Sequence, residues 1–197
     1  VQISSSIALF VTRRSKVKKI HTGEFEMRNQ KGFSLIELLI VVAIILIIAA
    51  IAIPNLMRAR MSANDSSAAA SERSIVTGEI GYSAAYPTIG FSAVLSSLGG
   101  AAPCTPGTAT GCLIDNLLAS ASAGAGKSGY FFSETGSAGT GSSTNNQFYT
   151  EGYPISAQTG TKSYCAFEDG VIRQRPSGTI TAVGSEATCQ TMSPIAN

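Results

Sequence analysis

Residues 31–53 read KGFSLIELLIVVAIILIIAAIAI, an apolar run broken by one hydroxyl, Ser34, and one carboxylate, Glu37. A carboxylate at the mouth of such a run is costly to desolvate, so Glu37 is a candidate functional residue by default. The four cysteines, Cys104, Cys112, Cys165 and Cys189, all follow the run. The sole histidine, His21, precedes it, so no Ser–His or Cys–His arrangement is possible beyond Glu37 and hydrolytic triads lack a base. Zinc would need more: there is no Cys-x-x-Cys pair and no histidine beside the cysteines. Gly124-Ala125-Gly126-Lys127-Ser128 imitates the end of a phosphate-binding loop, but position 121 is Ala121 and no buried strand leads into it. Glu168-Asp169 reads as a solvated turn rather than an acid/base pair. These residues predict no enzyme, metal, cofactor or small-molecule substrate.

The elements that must position Glu37 begin with the apolar run. Phe33 to Ile53 is 21 residues, and at about 1.5 Å per residue a helix of that length spans a hydrocarbon core of roughly 30 Å. A secretory signal has a shorter apolar core with its cleavage site behind it; here Gly32 comes first, so cleavage there leaves the apolar segment on the protein. Arg13, Arg14, Lys16, Lys18 and Lys19 precede the run, which holds that end in the cytoplasm and sends the C-terminal part outward.

The helix is expected to continue from residue 34 to about 86, with a kink near Pro54. Asn55 to Ala70, rich in Ala and Ser, reads as a solvated helix surface. Beyond it Ile75, Glu79, Tyr82 and Tyr86, flanked by Val76 and Ile80, form a stripe able to dock a small sheet. Pro87 ends the helix. Residues 88–128 predict an irregular connector with a short helix around Leu113–Ala119. Strand signals follow at Tyr130–Ser133, Gln147–Tyr153, Ser163–Phe167 and Val171–Arg175, and Asp169-Gly170 is a two-residue hairpin signal. The tail, 176–197, reads as loop. The class is α+β: one long helix against a small antiparallel meander.

The stretch Lys31-Gly32-Phe33-Ser34-Leu35-Ile36-Glu37-Leu38-Leu39 resembles the processing site of type IV pilins and pseudopilins. Pro54 stands where that family commonly has a proline. Tyr86-Pro87-Thr88 and Asp169-Gly170-Val171-Ile172-Arg173 match it more loosely. The resemblance implies cleavage between Gly32 and Phe33 by a membrane prepilin peptidase that also methylates the new Phe33 amine. Phe33, Glu37 and Pro54 are then the assembly residues, and Glu37 pairs with a Phe33 amine, a neighbour's or its own. It implies a single-pass protein of the bacterial inner membrane, C-terminus outward. An assembly platform with its ATPase then polymerises it into a homo-oligomeric helical filament, an extracellular pilus (fimbrium) or a periplasmic filament. The alternatives are a pseudopilin of a type II secretion system, and a minor pilin in adhesion, motility or DNA uptake.

Met27 to Gly32 spells a complete short leader of this type, and codons for Gly23-Glu24 can read as a ribosome-binding sequence. Translation is therefore expected to start at Met27, leaving 1–26 untranslated. The expected map is 1–32 leader, 33–54 transmembrane and polymerisation helix, 55–86 amphipathic continuation, 87–128 connector and 129–197 sheet with a disulfide-bounded C-terminal loop.

The four cysteines allow three pairings, on the side of the membrane where disulfides persist. Cys104–Cys112 and Cys165–Cys189 are favoured, the second resembling the C-terminal disulfide loop of many pilins. From Phe33 onward seven basic side chains face ten acidic ones. A net −3 argues against a broadly basic nucleic-acid-binding surface. Arg173 and Arg175 form the only local basic pair, with no aromatic stacking partner apparent beside them.

Overall fold

The computed structural model describes residues 32–122, 124–175 and 181–195. The leader and translation start lie outside the described residues except for Gly32, as do positions 176–180 of the tail. The chain divides into two units after Ala43, and each is taken by itself.

Helix α1 runs Leu35–Ala85, uninterrupted through Pro54. Tyr86 N–H still bonds the Tyr82 carbonyl (2.9 Å); Pro87 then stops the ladder and disfavours helical geometry at Tyr86. In the second unit α1 buries Asp65, Ala68, Ala69, Glu72, Ile75, Val76, Glu79 and Tyr82. Steps of three and four place these on one stripe. Two expectations fail here. The docked face begins at Asp65 rather than beyond Ala70, because Ala68 and Ala69 let the sheet approach closely. Ile80, expected to flank the stripe, is 58% exposed: it follows Glu79 by one residue, about 100° around the helix.

The connector holds a 3-10 turn at Leu95–Leu98 that the sequence did not announce, with Leu95 and Leu98 buried, and helix α2 at Asn116–Ala119. Asp115 caps α2, its side chain accepting from Leu118 N–H at 2.9 Å. The sheet is β1 Tyr130–Ser137, β2 Gln147–Pro154, β3 Ser163–Phe167, β4 Arg173–Arg175 and β5 Ser193–Pro194. Its spatial order follows sequence order and every pairing is antiparallel. β1 pairs with β2 in register from Tyr130↔Pro154 to Ser137↔Gln147. Asp169-Gly170 lies in a longer loop than a two-residue hairpin, since β3 ends at Phe167 and β4 begins at Arg173. Gly170 takes φ +71° there, a conformation open to glycine.

Strand alternation sorts the core into two faces. Tyr130, Phe132, Phe148, Tyr164 and Ala166 join Ile75, Val76 and Tyr82 of α1 in the main core. Cys165 and Phe167 point the other way, against Val183 and Cys189. The tail is thus more ordered than expected: helix α3, Glu186–Gln190, capped by Ser185, is followed by β5 on the sheet edge. The Ser185 cap was readable; β5 was not, because a two-residue strand depends on its β4 partner.

Candidate functional site

Within the first unit, Ser34 N–H donates to Glu37 Oε2 at 3.0 Å, and Leu38 N–H reaches the Ser34 carbonyl at 3.2 Å. Ser34-Leu35-Ile36-Glu37 is therefore half a capping box: the third-position glutamate folds back on the helix start. Glu37 was expected to serve only as an ion-pair partner. The S-x-x-E spacing was the signal for this second role. The geometry turns the carboxylate toward the Ser34 N–H, the peptide nitrogen that follows Phe33.

The apolar residues behind it have no partner among the described residues. Large side chains from Leu35 to Ile53 range from 44% exposed at Val42 to 76% at Leu35. This part of α1 is long and apolar enough to cross a membrane. Pro54 sits within the helix directly after it.

The other sequence-singled residues are dispersed. Cys104 is bonded to Cys112, and Cys165 to Cys189, so no thiol is free among them to bind metal. Lys127 of the phosphate-loop imitation is paired with Asp115 at 2.8 Å. Its hydrogen bond holds the Asp115 carboxyl below the usual range, against a smaller opposing effect of burial. Arg173 Nη2 binds Asp169 at 2.6 Å, and its guanidinium lies 4.3 Å from the Phe167 ring centre. That corrects the expectation of no aromatic neighbour: the arginine is committed inside the subunit. Asp169 is somewhat desolvated, but hydrogen bonds from Arg173 and Val171 outweigh this and lower its pKa.

Acids crowd the docked face, where the sequence placed only Glu79 on the docking stripe and gave Asp65 and Glu72 no such role. Asp65, Glu72 and Glu79 recur every seven positions and are all buried. Asp65 accepts from Tyr130 OH (2.5 Å), Thr161 N–H (2.9 Å) and Thr161 Oγ1 (2.5 Å). Glu72 Oε2 lies 3.0 Å from Thr150 Oγ1, while its Oε1 has no hydrogen-bond partner. A Cβ at Gly152 would meet that Oε1 at 2.8 Å and the Phe132 ring at 2.8 Å, so the glycine makes room for the carboxyl. Glu79 shares Ser92 with Glu134 of β1: Ser92 Oγ is 2.7 Å from Glu79 Oε1 and 2.9 Å from Glu134 Oε2. Burial pushes Glu72 up to about 8. Burial, then the nearby Glu79 charge, pushes Glu134 to about 9. Glu79 is raised by burial as well. Hydroxyls on the strands and on the loops beside them, Tyr130, Thr150, Ser92 and Thr161, accompany the burial of these acids.

A profile described as "Prokaryotic N-terminal methylation motif" matches residues 27–53. The match is confined to that N-terminal segment, and the long helix with its antiparallel sheet forms a pilin-like α+β architecture. The type IV wide pilus major component PilA4 of Thermus thermophilus is 72% identical over 39 residues, covering 20% of this chain and 30% of that protein. The match thus spans about a third of the relative's length. No solved structure matches the chain.

Proposed function

We propose that this chain is a structural subunit of a type IV pilus. The observation that carries the reading is the segment 27–53, which matches the methylation motif and whose apolar side chains from Leu35 to Ile53 have no partner among the described residues. The precursor sits in the bacterial inner membrane through residues 33–53 with its sheet outward. A prepilin peptidase cuts between Gly32 and Phe33 and methylates the Phe33 amine, which stays cationic. An assembly platform and its ATPase then draw subunits into a homo-oligomeric filament, where Leu38–Ile53 pack against equivalent helices. Glu37 pairs with a neighbour's Phe33 amine. Desolvating two ions costs several kcal/mol each, so the pair's main contribution is register: a subunit out of step leaves Glu37 buried and unpaired.

N-terminal sequencing and intact-mass analysis of sheared surface filaments test this reading. The expected product begins at methylated Phe33 and is abundant. Filaments that lack this chain, or a surface chain that retains Met27 to Gly32, overturn it. A chain confined to the periplasm supports the pseudopilin alternative.

A further inference from the structure

The geometry points to a proton-dependent latch between α1 and the sheet: the docked face closes only with two protons on it, one on Glu72 and one in the Glu79–Ser92–Glu134 group. The inference stands apart from the pilus reading, since it concerns the folded subunit alone.

The count follows from hydroxyl chemistry. Ser92 Oγ has one proton but lies within bonding distance of Glu79 Oε1, Glu134 Oε2 and the Val94 carbonyl (3.2 Å). Two ionised carboxylates there would present several acceptors to that one donor. Glu79 also receives Ser92 N–H at 2.9 Å, so with two donors it is the ionised member. Glu134 must then donate its own proton to Ser92 Oγ, and its other oxygen, buried without a partner, fits a neutral carboxyl. Thr150 Oγ1 repeats the pattern: it is 3.0 Å from Glu72 Oε2 and 3.2 Å from the Ser133 carbonyl. Its proton goes to the carbonyl, and Glu72 donates to Thr150. The Glu72 Oε1 orphan, held against Phe132 and Gly152, again suits an uncharged acid.

Among the described residues no cation is paired with Glu72, Glu79 or Glu134 in place of the protons. Glu79 and Tyr82 of α1 and Ser92 of the connector face Glu134. Thr150, Tyr149 and Glu151 of β2 face Glu72, with Arg175 of β4 acting on Tyr149. Glu151 is spoken for, accepting from Ser133 Oγ (3.1 Å), Tyr149 OH (2.9 Å) and Gly184 N–H (2.9 Å). A carboxyl whose folded pKa lies above its unfolded value contributes stability that is fully present below about 4.5 and is lost as pH rises through the folded value. For Glu72 and Glu134 those upper limits are about 8 and about 9. Alkaline conditions therefore open the latch.

The test uses the full chain in detergent, with Glu72→Gln, Glu134→Gln and the double variant, because glutamine donates a hydrogen bond as the neutral acid does and does not titrate. The wild-type melting temperature is expected to fall by roughly 5–10 °C between pH 5 and pH 9, and the double variant to lose most of that slope. Infrared spectra of the wild type at pH 6 should show protonated-carboxyl absorption that diminishes in each single variant. A wild type with no such absorption overturns the inference even if the variants fail to fold. So does a double variant that keeps the full pH slope.

Discussion

The two ends of α1 invert the usual rule of burial. Leu38–Ile53 has no polar side chain and lies exposed, whereas Asp65–Tyr82 carries three acids and lies buried. The apolar end has no partner among the described residues, which the proposed function explains by packing against lipid and then against other copies. The acidic end finds its hydrogen-bond partners in the sheet and the loops around it: Tyr130 and Thr150 on strands, Ser92 in the connector and Thr161 just before β3. On the proposed function, one continuous helix serves two separable tasks: association by the first part, and attachment of the sheet domain by the second. The separation breaks if a change in one part disturbs the other's readout.

Glu37 provides the largest expected effect. Glu37→Ala should abolish most surface filament while leaving membrane insertion, cleavage and the melting temperature of the outer domain unchanged, measured by shearing yield, N-terminal sequencing and circular dichroism. Glu37→Gln sharpens the point. Glutamine still accepts from Ser34 N–H and so keeps the helix start, but it cannot pair with a charged amine. If Gln restores filaments to wild-type yield, capping alone explains Glu37 and the ion-pair role falls.

Ile75→Ala probes the other end. Ile75 is fully buried between α1 and the sheet, and deleting its branch should cost about 2–5 kcal/mol. The expected result is a lower melting temperature with unaltered processing at Gly32, read by thermal unfolding and mass analysis. A filament defect without loss of stability would show that the two tasks are not separate.

How much of this was legible follows the same division. The apolar run, Glu37 and the site around Gly32 are local patterns that need no tertiary partner to be recognised. β3 falls where its residues predict, because Tyr164, Cys165 and Phe167 form an unbroken buried strand. Glu72 and Glu134 were opaque for the converse reason. A carboxyl on a docked face becomes intelligible only when Thr150 or Ser92, 78 and 42 residues away, is brought to it. The fit of the Glu72 carboxyl over Gly152 is likewise a tertiary contact that no local pattern announces. Helix α3 and β5 were hidden because Cys165–Cys189 and the β4 edge hold a tail too short to fold alone.

The two disulfides give the next, smaller contrast. Cys165–Cys189 closes a loop of sequence separation 24 and Cys104–Cys112 one of 8. Loop-closure entropy then makes the loss of the first costlier by about 1 kcal/mol. Cys165→Ser with Cys189→Ser should lower the urea midpoint more than Cys104→Ser with Cys112→Ser. Equal shifts would mean that tail packing on Phe167 and Val183, rather than the covalent link, holds the C-terminal face.

Arg173→Lys is expected to have the smallest effect. The guanidinium binds Asp169 through two nitrogen–oxygen contacts, Nη1 at 3.1 Å and Nη2 at 2.6 Å, while lying over Phe167. A lysine keeps the charge but loses the planar fork and the stacking. The loss should be about 0.5–1 kcal/mol, since the pair is partly solvated and the ring contact exposed-site in strength. It should show as a small fall in urea midpoint that salt changes little, because the stacking component is not screened as the ion pair is. Assembly should be indifferent, for Arg173 is spent within the subunit. A marked loss of filament from this one substitution would place the Asp169–Arg173 loop at a contact between copies, and outer-domain surfaces would then share the cohesion assigned here to Leu38–Ile53 alone.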